Sequence, residues 1–344
     1  MTDRPTAKPQ ARARNRPTAD DYFQGIRDRN LSMLARAFTL VESSSPRHQK
    51  VAEELLTRLM PLTGNALRIG ITGAPGAGKS TFIEAFGLLL VRQGKRVAVL
   101  AVDPSSGVSG GSILGDKTRM TNLSSEKDAF IRPSPSAGTL GGVAHKTREC
   151  MLIAEAAGFD VILIETVGVG QSETMVADMT DCFLGLMLPG AGDELQGIKR
   201  GLLELVDVIA VNKADGKNKD AAELAARQYH NALDSITGRH FDDAPAILTC
   251  SARENLGIDK VWKAIEKRCR LRKDSGDFQR RRQQQNLRWL WSIVEDQLRH
   301  VMHTHPAVQA ICNDVETNVL DGSMPPAAGA RRLFSALNLD SRNL

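Results

Sequence analysis

Aromatic side chains are scarce in this 344-residue chain, only 4% of it, which argues against a surface of stacked rings for reading nucleobases along a strand. Cysteine is sparse too. Cys150, Cys182, Cys250, Cys269 and Cys312 show no CxxC spacing, so neither a disulfide frame nor a zinc site is expected; they read as small buried apolar residues in a reducing compartment. No apolar run approaches the roughly 18 residues of a membrane span, and the N-terminus has no apolar signal core. The expectation is a cytoplasmic protein without a membrane partner. His300, His303 and His305 lie close together, but only two can share one helical face and the third precedes Pro306, so no metal site is expected there. The net charge is only +5. Much of the excess falls in residues 4–16 and 280–282, where a solvated tail and a solvated helix face account for it; nucleic acid is not an expected partner.

Charged residues make up 25% and the apolar set 42%, as in an ordinary globular protein. The length suits one α/β domain of about 200 residues plus helical additions. Residues 1–19, rich in Arg, Pro and Ala, predict a disordered tail. Residues 20–66 predict an N-terminal helical segment: Leu31, Leu34, Ala35, Phe38 and Val41 fall near helical spacing, and Ser45-Pro46 opens a helix through Val51, Leu55, Leu59 and Met60. Short apolar runs follow at 67–72, 96–102, 129–132, 161–164, 182–188, 206–211 and 246–249. Runs of this length without polar alternation suit strands buried on both faces, hence a doubly wound, mostly parallel α/β domain over 67–272. Residues 273–344 return to helix. Leu287, Leu290, Trp291, Val294, Leu298 and Val301 form an apolar stripe that must pack on its own domain or on a second subunit.

The first run leads into Gly73-Ala74-Pro75-Gly76-Ala77-Gly78-Lys79-Ser80-Thr81, a GxxxxGK[ST] pattern between a strand and a helix. Glycines allow the backbone to wrap phosphates, and its N–H groups with the helix N-terminus supply positive charge. Lys79 is expected to reach the β- and γ-phosphates and Ser80 to ligate magnesium. The run at 161–164 ends in Glu165-Thr166-Val167-Gly168. A carboxylate at that strand tip can hold magnesium, although Asp is the commoner residue. The run at 206–211 ends in Asn212-Lys213-Ala214-Asp215. A carboxylate only accepts hydrogen bonds, so Asp215 suits the N1–H and 2-amino groups of guanine, a pair that adenine lacks. Ser251-Ala252-Arg253 sits at the next strand end, where backbone N–H groups can meet the guanine oxygen. Together these predict a GTP site.

Three positions are more open. Asp103 ends a strand beside the phosphate loop and reads as a ligand or water-orienting group, or as a turn former before Pro104. Asp116 reads equally as a ligand or a helix cap. Residues 189–201 carry four glycines and mixed charge; they form a mobile charge-stabilising loop or an ordinary connection.

The whole set resembles one family, the MeaB/ArgK GTPases related to the methylmalonic aciduria type A protein. The likeness runs from about residue 24 to about 300 through the phosphate loop, Ala101-Val102-Asp103-Pro104-Ser105-Ser106, Gly111-Ser112-Ile113-Leu114-Gly115-Asp116-Lys117-Thr118-Arg119-Met120, Arg132-Pro133-Ser134-Pro135, Gly138-Thr139-Leu140-Gly141-Gly142 and Glu165-Thr166-Val167-Gly168-Val169-Gly170-Gln171-Ser172-Glu173. Glutamate at 165 looks like the family's own pattern. The resemblance implies a homodimeric GTPase accessory to an adenosylcobalamin-dependent acyl-CoA mutase, gating cofactor loading and protecting the mutase. It implies that Lys79 and Ser80 bind phosphate and magnesium, and that Asp103, Asp116 and Glu165 line the metal and attacking water. It implies too that Asp215 with Ser251, Ala252 and Arg253 holds guanine, and that Lys199 lies in the loop communicating with the mutase. With no arginine finger in evidence, intrinsic turnover is expected to be slow.

Two other readings share parts of this pattern. A metal-delivery GTPase would want a His- or Cys-rich tract near the nucleotide. A kinase acting on a transport binding protein would want a second substrate site. The chain has no DxHxxG pattern of its own, so cobalamin is expected on the partner.

Overall fold

The computed structural model describes residues 17–102, 120–133, 140–166, 171–190, 200–237 and 244–337. The chain divides into two compact units, the first ending at Arg270 and the second beginning at Leu271. The division falls inside a helix, Ile258–Asp274.

The first unit is built on seven strands: β1 (Leu67–Gly73), β2 (Val97–Val102), β3 (Ala129–Arg132), β4 (Val161–Thr166), β5 (Cys182–Met187), β6 (Val208–Val211) and β7 (Ala246–Thr249). Every pairing is parallel, in the order β3-β2-β4-β1-β5-β6-β7. All seven expected strands are present; β4 runs two residues further than its apolar run, through Glu165 and Thr166. The chain winds outward from β1 to β3, returns to β4, then crosses β1 to build the other half. This reversal leaves a crevice outside the carboxyl end of β1, where ligands of doubly wound sheets bind.

Both faces are covered, which explains the unbroken apolar strands. One face presents Ile69, Ile71, Val99, Leu163 and Leu184 to the helix Lys79–Arg92 through Phe82 and Phe86, and to Trp262 beyond. Phe86 and Trp262 meet edge-on with centroids 5.8 Å apart. The opposite face presents Ala98, Leu100, Ile162, Ile164 and Phe183. The helix Leu140–Ala156 and the N-terminal helices Ala19–Arg27, Leu31–Glu42 and Pro46–Leu59 cover it with Ile26, Phe38, Val41, Leu55 and Leu59. The N-terminal helices are therefore part of this core. Thr18 starts the first of them with a capping box, its hydroxyl accepting from the Asp21 N–H while the Asp21 carboxylate accepts from the Thr18 N–H. That places ordered structure just inside the expected tail; residues 1–16 lie outside the described ones.

At the amino end of the sheet a buried ion pair fixes β1. The Arg68 guanidinium donates to Glu155 at 2.8 and 3.1 Å, and the same carboxylate accepts from the Gly64 N–H at 2.7 Å. Such a pair has low tolerance for the loss of one partner, because the other is left as a buried charge.

The second unit holds the helices Asp277–Thr304, Pro306–Leu320 and Pro326–Ala336. On the first of these Leu287, Leu290, Trp291, Leu298 and Val301 are exposed. Of the cysteines, Cys150, Cys182, Cys250 and Cys269 are buried, whereas Cys312 is half-buried. No described helix is long and apolar enough to cross a membrane.

Candidate functional site

The loop after β1 is shaped by the two strands beside it. Gly73 lies so close to β5 that a Cβ there would stand 2.3 Å from the Leu186 carbonyl oxygen. Gly78 adopts φ +84° at the mouth of the helix Lys79–Arg92, where a side chain would meet the Asn212 amide at 2.8 Å. Only glycine fits either place. The helix begins at Lys79, so its first N–H groups point into the loop. The Lys79 ammonium folds back over the loop, donating to the Gly73 carbonyl at 2.7 Å and more weakly to that of Ala74 at 3.4 Å. Burial pulls the Lys79 pKa below its ordinary value, and the carboxylates of Glu165 and then Glu173 act against that shift by favouring the charged form.

The strand order carries β4 to the side of β1. Register pairs Glu165 with Ile71, and the buried Glu165 carboxylate accepts from the Ser80 hydroxyl at 3.2 Å. These two hard oxygen donors meet at the start of the helix, a set that suits magnesium, which commonly takes one or two protein oxygens and fills the rest with phosphate and water. Among the described residues no group of three or more His, Cys, Asp or Glu side chains could hold a metal ion. Asp103, Asp116 and Lys199 lie outside the described residues.

Beneath the loop runs a hydroxyl chain that motif reading overlooks. Thr166 donates to Thr72 at 3.0 Å, and Thr72 donates to the Glu173 carboxylate at 3.2 Å. Thr72 and Thr166 are fully buried. Glu173 lies in the first turn of the helix Gln171–Ala177.

On the other side of β1 the ends of β6 and β7 build the second half. Asn212 is the joint between the halves. Its amide nitrogen donates to the Ala77 carbonyl at 2.8 Å, and its amide oxygen accepts from the Ala252 N–H at 3.0 Å. One side chain thus ties the phosphate loop to the Ser251–Arg253 segment. Lys213 takes φ +60°, which turns the chain so that Asp215 faces Ser251, whose hydroxyl donates to the Asp215 carboxylate. Ser251 in turn accepts from the Glu254 N–H at 3.1 Å. The Cys250 thiol, pushed up to about 12 by burial, stays protonated here. A cavity of about 390 Å³ opens between the halves, with Gly78, Thr81, Asn212, Asp215 and Arg253 in its wall, within the size range of small-molecule sites. Asn218, which no motif singles out, also lines it. Arg253 is exposed and paired with Glu254.

The two halves brought together can grip an anion at one end and a planar base with paired donors at the other. Replacing Asn212 by Ala removes these two hydrogen bonds and the weaker one its amide oxygen accepts from the Cys250 thiol at 3.7 Å, and leaves the Ala77 carbonyl and Ala252 N–H to find new partners. The expected loss is about 2–3 kcal/mol of stability, with GTP and GDP affinity falling together. Thermal melting and fluorescent-nucleotide titration check this; undiminished affinity for both nucleotides would contradict the bracing role.

Comparison with known proteins agrees with this geometry. The family model for methylmalonyl-CoA mutase-associated GTPase MeaB matches residues 34–307. GTPase ArgK of Escherichia coli is 48% identical over 319 residues, covering 93% of this chain and 96% of its own length. The mitochondrial methylmalonic aciduria type A homolog of Mus musculus is 43% identical over 327 residues, covering 92% of this chain and 79% of its own. A crystal structure of an LAO/AO transport system kinase superposes with a TM-score of 0.76 at 41% identity, covering 94% of this chain and 99% of that one. This chain is a P-loop GTPase and belongs to the MeaB family of methylmalonyl-CoA mutase-associated GTPases.

Proposed function

We propose that this GTPase serves as a nucleotide-controlled chaperone for an adenosylcobalamin-dependent acyl-CoA mutase of the methylmalonyl-CoA type, gating cofactor loading and protecting the loaded mutase. The observation that carries the reading is the two-part seat joined by Asn212, with Asp215 at one end and Gly78 and Thr81, which flank Lys79, at the other, in a chain matched to mutase-associated GTPases. A carboxylate has about four lone-pair sites. With one taken by Ser251, Asp215 keeps acceptors for the N1–H and 2-amino groups of guanine. Asn212, Lys213, Ala252 and Arg253 complete the base end.

At the other end the residues 73–81 wrap the phosphates, and Lys79 supplies a fixed positive charge where negative charge develops as the γ-phosphoryl group leaves. Ser80 and Glu165 would hold magnesium, with Asp103 and Asp116 as further members of that set; the ion, when bound, neutralises phosphate charge. Water adds to the γ-phosphorus and the bond to the β-phosphate oxygen breaks, giving GDP and phosphate. Lys199 would lie in the segment that meets the mutase. A signal reaches the partner only if the GTP and GDP states bind it with different affinity.

The reading includes a homodimer. The exposed stripe Leu287, Leu290, Trp291, Leu298 and Val301 on the helix Asp277–Thr304 is the kind of apolar face that a partner covers. Sedimentation should find a dimer, and Trp291→Glu with Leu290→Glu should yield monomer; a monomeric wild-type chain would remove dimerisation from the account.

The functional test is kinetic. A purified methylmalonyl-CoA mutase, added to the slow intrinsic reaction, should raise GTP turnover about tenfold or more, the scale of a coupling above 1 kcal/mol. The mutase should also lose activity more slowly in the presence of this protein and GTP. If the mutase changes neither turnover nor nucleotide affinity, the chaperone role is wrong while the GTPase assignment stands.

A further inference from the structure

Glu173 has no assigned part in nucleotide binding, yet its surroundings give it one. It lies in the first turn of the helix Gln171–Ala177, and its carboxylate is held from below by the Thr72 hydroxyl at 3.2 Å. Thr72 has only one hydroxyl proton. Because it accepts from Thr166 at 3.0 Å, that proton is left to point at Glu173, and the buried chain fixes a carboxylate as the acceptor at its end. Thr72 immediately precedes Gly73, whose carbonyl receives the Lys79 ammonium at 2.7 Å. The anchored carboxylate therefore stands close enough to Lys79 to act on its charge, after Glu165 among the described acidic groups that do so.

The two carboxylates differ in one respect. Glu165 accepts from Ser80, at the place suited to a cation, so a bound cation would balance its charge. Glu173 accepts from the Thr72 hydroxyl rather than from Ser80, and it shares Lys79 with whatever phosphate the loop holds. A terminal phosphate adds negative charge at the Lys79 end of the seat, and a fixed carboxylate there opposes that addition.

We propose that Glu173 is a positioning residue that sets the preference of the site between GTP and GDP. Its anchored charge offsets part of the attraction of Lys79 for the γ-phosphate, and so weakens the triphosphate relative to the diphosphate. The consequence is a narrowed affinity gap between the two nucleotides, which keeps GDP a competent occupant and makes the seat responsive to whatever moves the helix Gln171–Ala177. The inference rests on Lys79 as the phosphate ligand.

The test compares GDP with the non-hydrolysable analogue GMPPNP at fixed magnesium, by calorimetry on the full-length chain. Glu173→Gln keeps an acceptor for Thr72 and removes the charge. It should tighten GMPPNP relative to GDP by about five- to tenfold, the scale of one partly screened charge several ångströms away. Glu173→Ala removes the charge by another route and should shift the ratio in the same sense, whereas Glu173→Asp should stay near the wild-type ratio. Equal changes for both nucleotides in the Gln and Ala variants, or a ratio that moves as far in Glu173→Asp, would overturn the proposal. Lys79→Ala in the same series separates the two ideas. If it leaves both affinities intact, the phosphate assignment fails and the Glu173 inference fails with it. If it lowers them while Glu173→Gln leaves the ratio unmoved, only the inference fails.

Discussion

One side-chain amide holds the site in register. Asn212 bonds the Ala77 carbonyl of the phosphate loop with its nitrogen and the Ala252 N–H of the base-side segment with its oxygen. Three separate strand ends, those of β1, β6 and β7, are thereby set at one spacing. A nucleotide's base and phosphates lie within a bounded reach of each other, so a seat that holds both must keep its two ends at a matching spacing. The parallel sheet provides the platform, and Asn212 makes the loops above it a single rigid object. Gly78 is the necessary counterpart, since any side chain there would displace the amide.

The platform in turn depends on covering both faces. The helices Lys79–Arg92 and Ile258–Asp274 cover one face, while the other is covered by Leu140–Ala156 together with the N-terminal helices Ala19–Arg27, Leu31–Glu42 and Pro46–Leu59. That dependence ties the N-terminal segment to the folding of the sheet, through Ile26, Phe38 and Leu55, all fully buried. The Arg68–Glu155 pair closes the amino end of β1, far along the strand from the phosphate loop. Rigidity is thus concentrated below the site, and the carboxyl edge of the sheet carries the loops that form it.

Much of this was legible in the sequence. Strands buried on both faces leave a simple trace, a run of apolar residues with no alternation, and every such run is a strand in the sheet. The phosphate loop and Asp215 are readable because each performs its chemistry within a few consecutive residues. Asn212 was readable as part of NKxD, but its bracing partners, Ala77 and Ala252, are 135 and 40 residues away. The Thr166–Thr72–Glu173 chain was hidden for the same reason: it exists only because the strand order places β4 beside β1. The one available signal was a glutamate eight residues beyond Glu165 in an otherwise glycine- and polar-rich stretch. Asn218 carried no signal at all, since it reaches the cavity through a short 3-10 turn, Gly216–Asn218. The helix Asp277–Thr304 kept its stripe, and the structure leaves that stripe exposed, a fact periodicity cannot supply because a covered and an uncovered stripe read alike.

The central claim is that a single stiff seat reads guanine at Asp215 while holding phosphate at Lys79. Calorimetric titration of the unmodified chain with GTP and with ATP, under identical magnesium, tests it most directly. The account predicts GTP bound at least about a hundredfold more tightly, since adenine would leave the Asp215 acceptors unmatched. Equal affinity for the two nucleotides would contradict it.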